Sequence, residues 1–550
     1  MFQKRCYMSM LFFGLLLLIA CTTVIDTGAE AENDELLDVV SSKGITAVSS
    51  TINPNGNVYI VATNGNNGNV GSKAEPWLTI QHAADTVQPG DMVQVRGGTY
   101  AETVEMNVSG SAADGFIIFK SYAGETAVID GTGFSAANGD IGIRIENQNY
   151  LIIDGFEIRN FSSNSVNAVP MGIFVTGASH HVQLLNNQIH HIETNAGSDG
   201  NAHGLAVYGS SAPASINNIL VQGNELHDMK LGNSEALVLN GNVEQFTVSQ
   251  NRVHDNDNIG IDLIGFEGIS PDLDVDQARD GTVSENIVYN IDTLNNPAYF
   301  GEQSAAGIYV DGGTRIVLER NHVYDSNMGI EIASEHQGRA TSYITVRNNL
   351  LVHNHIAGLA MGGYDTNRGS TEHCLIVNNT FFENDSNQDG NGELWMQFDV
   401  RDNVVKNNIF VANAQSWLIT NPYTQNQNNI VDYNLYFAPE GAASSEWQWK
   451  NAFYQGFAAY QAGSGNDAHS LFMDPQFVDT APTSSRGQAV SNFHLSATSP
   501  AIDAGTNLPE AGSVDFDGHI RTFNGTIDLG AFEFGEETAV YLPLVVTPTG

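Results

Sequence analysis

Positive charge is scarce in this chain: 21 Lys and Arg stand against 62 Asp and Glu, a net charge of −41 over 550 residues. So acidic a surface repels polyanions, which excludes nucleic-acid binding and adhesion to anionic lipid through basic patches. Cysteine is almost missing, with three in the whole chain, so no disulfide framework exists. Long apolar runs are confined to Met8–Ala20, too short to span a bilayer as a helix. Helical spacing is absent from most of the body, and short alternating runs rich in glycine (55 in the chain) and asparagine take its place.

Lys4 and Arg5 precede that apolar run, the layout of an export signal over residues 1–20. Leu18-Ile19-Ala20-Cys21 resembles a bacterial lipobox, which implies that Cys21 is the lipidated first residue of a mature lipoprotein. Cys6 then leaves with the signal and Cys374 is the only remaining thiol. The implied location is extracytoplasmic, tethered to a bacterial membrane through one lipid anchor or released to the cell surface. Residues 21–55 are polar and patternless, a stalk. Residues 56–470 form the body, 471–536 a closing module, and 537–550 an apolar tail that reads equally as a last strand or a remnant sorting signal. The expected state is a monomer.

The body opens with a strand (Val58–Ala62), a glycine-rich loop and a helix over Leu78–Val87, stopped by Pro89-Gly90. From about residue 140 a glycine-plus-strand unit recurs: IGIRIE, MGIFVT, HGLAVYG, EALVLNG, IGIDLIG, AGIYVDG, MGIEIAS, AGLAMGG and GELWMQF. A second motif interleaves with it, at Asn187, Asn224, Asn251, Asn286, Asn321, Asn349, Asn379, Asn408 and Asn434. Unequal intervals with period-two strands fit a β-solenoid with loops of different length on one side. The asparagines predict an amide ladder along the axis. The fold class is therefore all-β, a right-handed parallel β-helix with a short N-terminal capping helix.

The order G-S-K-x-x-P-W-x-T-I-Q-x-A, then P-G-D-x-V-x-V-R-G-G-T-Y, resembles the opening of secreted parallel β-helix proteins of the pectin-lyase type, family-nine pectate lyases among them. FHLSATSPAIDAG and VDFDGHIRTFNGTIDLGAFEF resemble a closing module of surface-exported β-helix proteins, here expected to be final coils and a cap.

Outward side chains at equivalent positions of a β-helix align about 4.8 Å apart. The first outward slot runs Arg144, Phe174, Ala206, Val238, Asp262, Tyr309, Glu331, Ala360, Trp395; the second includes Asp311. Carboxylates thus gather on three successive coils, with small residues beside them and Trp395 offering a floor for a sugar ring. The largest loop inserts lie at the same coils and bring Phe266, Arg279, Tyr299, Phe300, Glu335, His336, Arg339, Tyr364 and Arg368 within reach. Asp311 and Glu331 are the predicted catalytic pair. Asp262, Tyr309, Glu335, His336 and Trp395 are the predicted substrate contacts.

Two resemblances bear on the chemistry. Family-nine pectate lyases use a run like D-D-G-F-D-L for calcium and a lysine in the next coil; here N-I-G-I-D-L keeps only Asp262, and Tyr309 stands at the lysine position. Retaining β-helix hydrolases of the β-xylosidase type have an aspartate ending a strand and a glutamate one coil on. I-Y-V-D and I-E-I-A-S-E-H resemble that pattern, which implies Asp311 as nucleophile and Glu331 as acid/base. Geometry leaves two registers open. Val310 over Ile330 would set the pair about 5 Å apart, as in retaining enzymes, and Ile308 over Ile330 about 8 Å apart, as in inverting ones. The expected function is a glycoside hydrolase on poly- or oligosaccharide that requires no cofactor. A calcium-dependent polysaccharide lyase and a non-catalytic glycan-binding surface protein are the alternatives. Calcium is admitted by Asp272, Asp274, Asp276 and Asp280, spaced as in an EF-hand-like loop without its turn glycine or terminal glutamate. No other metal site is expected, and His203, His254, His322, His353, His355 and His373 read as turn or surface residues.

Overall fold

A computed structural model describes residues 56–135, 137–480 and 492–535; the predicted signal, Cys21, the stalk and the tail lie outside them. Three sheets of 16, 13 and 13 strands run the length of the body, parallel save for the last pair of the second (Glu446–Trp449 with Ala452–Gln455), and each coil contributes a strand to each in turn. The coil from Met328–Ala333 passes to Thr345–Arg347, then Leu350–Val352, and returns to Ala357–Met361 beside its start. The expected parallel β-helix is what forms. One face of every strand points inward, so Ile261, Ile308, Ile330 and Leu359 stack in a continuous buried column.

The predicted asparagine ladder is present from Asn187 to Asn434. The backbone N–H and Nδ2 of Asn251 both donate to Asn286 Oδ1 at 3.0 Å, and Asn286 repeats this onto Asn321. Each Nδ2 also donates backwards, as from Asn286 to the Val248 carbonyl. The residue before each ladder asparagine is left-handed, at Gln250, Glu285 and Arg320 among others, which folds the chain sharply into the next sheet. A second ladder, Asn354 to Asn384 to the buried Glu393, locks the next turn over a few coils.

Helix α1 (Ile80–Ala84) is shorter than Leu78–Val87 because Thr79 caps it by accepting the His82 N–H; Ile80, Ala83, Ala84 and Val87 cover the first coil as expected. At the other end, helix α2 (Phe457–Ser464) lays Tyr460 flat on Trp447 at 4.2 Å and closes the core. The segment expected as final coils and a cap follows it. Leu471–Phe472 adds one last strand, after which residues 492–535 turn back along the outside. Phe493, Leu495, Leu529 and Phe532 cover Leu350, Val352, Phe382, Ile409 and Leu435 on the outer face of the third sheet.

Replacing Asn286 by Ala leaves the N–H and Nδ2 of Asn251 buried without their acceptor. At about 1–3 kcal/mol for each orphaned group, a loss of several kcal/mol in chemical denaturation is expected, with the far-ultraviolet circular dichroism of the folded state unchanged.

Candidate functional site

The site lies on the outer face of the second sheet, where five strands run side by side: Leu237–Gly241, Ile261–Ile264, Ala306–Asp311, Met328–Ala333 and Ala357–Met361. Their register brings Val238, Asp262, Tyr309, Glu331 and Ala360 into one row, and the row continues to Trp395. The slot assignment made from the repeats therefore holds residue by residue. The open question of register resolves as Ile308 opposite Ile330, with Tyr309 opposite Glu331 and Asp311 opposite Ala333. Asp311 is diagonal to Glu331, one strand spacing and two residue rises away, about 8 Å.

Loops close over this row from both edges. Residues 265–277 and 334–339 leave the C-terminal ends of their strands, and residues 292–305 enter from the other side. The Glu335 N–H donates to Asp311 Oδ1 at 2.8 Å, and Arg368 donates to the Glu335 carbonyl at 3.2 Å. His336 Nε2 lies 3.2 Å from Glu267 Oε1, and Phe266 packs edge-on to the His336 ring and beneath Arg339. Tyr299 fixes the far loop by donating to Asn258 Oδ1. Arg279 is elsewhere: it pairs with Glu244 and braces the loop through the Val275 and Gln277 carbonyls. Phe300 points to solvent.

Burial dominates the electrostatics. Asp262, Asp311 and Glu331 are 2%, 5% and 6% exposed. Desolvation pushes the Asp262 carboxyl well above its ordinary range, reinforced by Glu235 and Asp311. Asp311 is driven the same way by desolvation and by Glu335, against the Glu335 N–H that favours its charged form. Glu235 is raised to about 8 by desolvation and by Glu267. The Tyr309 hydroxyl rises too, through burial and the same carboxylates.

Three members of this cluster were not foreseen: Glu235, Glu267 and His203. His203 is buried rather than superficial. Its Nδ1 lies 3.2 Å from the Glu235 carbonyl oxygen, Nε2 lies 3.0 Å from the Tyr208 hydroxyl, and desolvation lowers it to about 4. The signal was the residue that opens each repeat unit, apolar at Met171, Ile259, Ala306 and Met328 but polar at His203 and Glu235. His322 is likewise lowered to about 4 by burial. The EF-hand-like loop does not gather its four carboxylates. Asp276 receives the N–H groups of Gly268 and Ser270, Asp280 pairs with Arg315, and Asp272 accepts from Asp274 N–H.

The model of the right handed beta helix region matches residues 171–381 and 273–468, and that of the Pel9A-like right handed beta helix region matches residues 59–228. This chain belongs to the right-handed β-helix family, a pectin-lyase-like fold. It is 39% identical over 450 residues to the uncharacterized protein YwoF of Bacillus subtilis (strain 168), covering 81% of this chain and 92% of YwoF. It is 28% identical over 123 residues to pectate lyase PEL9 of Emericella nidulans, covering 22% of this chain and 30% of that protein. Among solved structures, pectate lyase Pel9A superposes with a TM-score of 0.42 at 18% identity, over 87% of this chain and 96% of that one.

Glu235 gives a pH test. Its folded value of about 8 lies above its ordinary 4.5, so the stability of the neutral form is complete below 4.5 and is lost as pH rises towards 8. The melting temperature should therefore fall across that interval, and Glu235→Gln should flatten the fall, as scanning calorimetry in matched buffers would register.

Proposed function

We propose that this protein is a glycoside hydrolase of inverting geometry, with Asp311 and Glu331 as its catalytic carboxyls. The observation that carries the reading is the register: Ile308 over Ile330 sets the two on a diagonal of about 8 Å, the span that leaves room for a water. One oxygen of Asp311 is occupied by the Glu335 N–H, and the other is left to hold the proton that passes to the departing glycosidic oxygen. Burial of Asp311 accords with that role. Glu331, opposite Ala360 in the row, deprotonates the attacking water. Water attacks the anomeric carbon as the bond to the leaving oxygen breaks, and the configuration inverts. Neither step calls for a metal ion.

Asp262 and Tyr309 line the row on the near side of Glu331, where they offer hydrogen bonds to sugar hydroxyls, and Trp395 stands two strands beyond it to stack on a ring. So many carboxyls favour a neutral glycan over a polyuronate. The predicted export signal and lipobox-like Cys21 support a reaction outside the cytoplasm as part of the same proposal. The match to the Pel9A-like model favours a second reading, a calcium-dependent lyase. That match ends at residue 228, before the acidic coils, and the position of the lyase base is held by Tyr309.

Asp311→Asn and Glu331→Gln should each lower kcat by about 10²–10⁴-fold with melting behaviour preserved, and proton magnetic resonance should show the first product anomer inverted. Turnover near wild type in either variant, or retention, sinks the reading. Unsaturated products absorbing in the near ultraviolet and lost with chelator establish the lyase. Saturable glycan binding without cleavage establishes the non-catalytic alternative.

A further inference from the structure

Above the row, two loops and the end of a strand deliver a second constellation. Glu267 follows the strand Ile261–Ile264, Asp311 ends Ala306–Asp311, and His336 follows Met328–Ala333, so the three come from successive coils. A carboxylate oxygen of Glu267, one of Asp311 and a ring nitrogen of His336 all lie within 4.8 Å of one another. Glu267 and His336 are already 3.2 Å apart. Ligands around a tetrahedral ion with bonds of about 2.0–2.2 Å sit about 3.4 Å from each other, so a small rotation of Asp311 completes the triangle.

A second observation comes from beneath the triangle. Asp262 is buried to 2% exposure and its Oδ1 has no hydrogen-bond partner. It stands on the same outer face as Asp311, one strand before it and level with Tyr309, near enough for the Asp311 carboxylate to act on it electrostatically. A carboxylate oxygen buried without a donor is the kind of group that a bound cation satisfies.

We propose that Glu267, Asp311 and His336 bind one divalent transition-metal ion, with Asp262 facing it from below. One imidazole with two carboxylates suits zinc and its neighbours better than calcium, which takes six to eight oxygens. Three protein ligands leave a fourth position open to water. The site shares Asp311 with the hydrolase reading, and only its consequence for turnover rests on that reading: an ion held by Asp311 occupies the carboxyl that the reaction would use, so metal and hydrolysis exclude each other.

The test is calorimetric titration of ZnCl₂ into the chelator-stripped full chain at neutral pH. One ion per chain is expected, at least tenfold weaker in Glu267→Gln and in His336→Ala and unchanged in His353→Ala, a distant histidine paired with Glu383. Glu267 is exposed and His336 partly so, so both variants should melt like the metal-free wild type. Cobalt(II) gives a second readout, with visible bands that depend on His336. Absence of saturable binding, wild-type affinity in both ligand variants, or equal weakening in His353→Ala overturns the site. The two readings separate cleanly. Zinc binding with no hydrolysis of any glycan leaves the site standing without the hydrolase, and hydrolysis with no zinc binding does the reverse.

Discussion

The amide ladder is the interaction on which the remaining architecture depends. Each ladder asparagine gives two donors to the next coil and one to the coil before, so three coils are tied at one point. Because the point recurs at the same turn, every coil begins its next strand in the same phase. Outward slots then form straight columns, and residues 47 positions apart in the chain, such as Asp262 and Tyr309, become neighbours at one strand spacing. A slip of one residue would turn the whole carboxylate row into the core.

The ladder also dictates where a site can be built. Two of the three turns in a coil are bound by ladders over the central coils, and an insert there would break stacked hydrogen bonds. The turn after the second sheet has a ladder only further along, from Cys374 through Asn403 to Asn429, and the segments 265–277, 334–339 and 364–368 all leave ahead of it. The N-cap at Asp292 and the Tyr299–Asn258 hydrogen bond let one further insert enter from the opposite edge. Loops from both sides thus cover one stretch of an otherwise bare sheet, and their backbone supplies contacts such as Glu335 N–H to Asp311 that the sheet alone could not.

What could be read from the residues follows the same division. Columns were legible because alternation with period two marks the outward slots, and the ladder was legible because asparagine recurs at a fixed turn. The offset between Ala306–Asp311 and Met328–Ala333 was not, since Ile308 and Val310 are equally apolar and either could stack on Ile330. The turn geometry that sets it, the left-handed Arg320 before Asn321, carries no distinctive residue type. Glu235 was missed because it opens its repeat unit, ahead of the outward slots, and Glu267 because it lies on a loop, where no period exists to locate it. The closing module had a signal that alternation hides. Leu350, Val352, Ile409 and Val411 point outward yet are apolar, the mark of a sheet face that something covers.

Concentrating carboxyls under loops has a consequence for the resting state. Asp262, Asp311 and Glu235 are each shifted upward, first by desolvation and then by neighbouring carboxylates, Glu335 among them in every case. Apolar residues would pack the same positions without that penalty, as Val238 and Ala360 do in the same row. The cluster is therefore costly to the fold and useful only through what it does with positive charge. A proton is the simplest occupant, and a carboxyl that retains one at neutral pH is what glycosidic cleavage needs from its acid. Any larger cation must compete with that proton. On the proposed hydrolase reading, chemistry at this groove turns on the positive charge it holds, and the loops that bury it bear on that charge by excluding water.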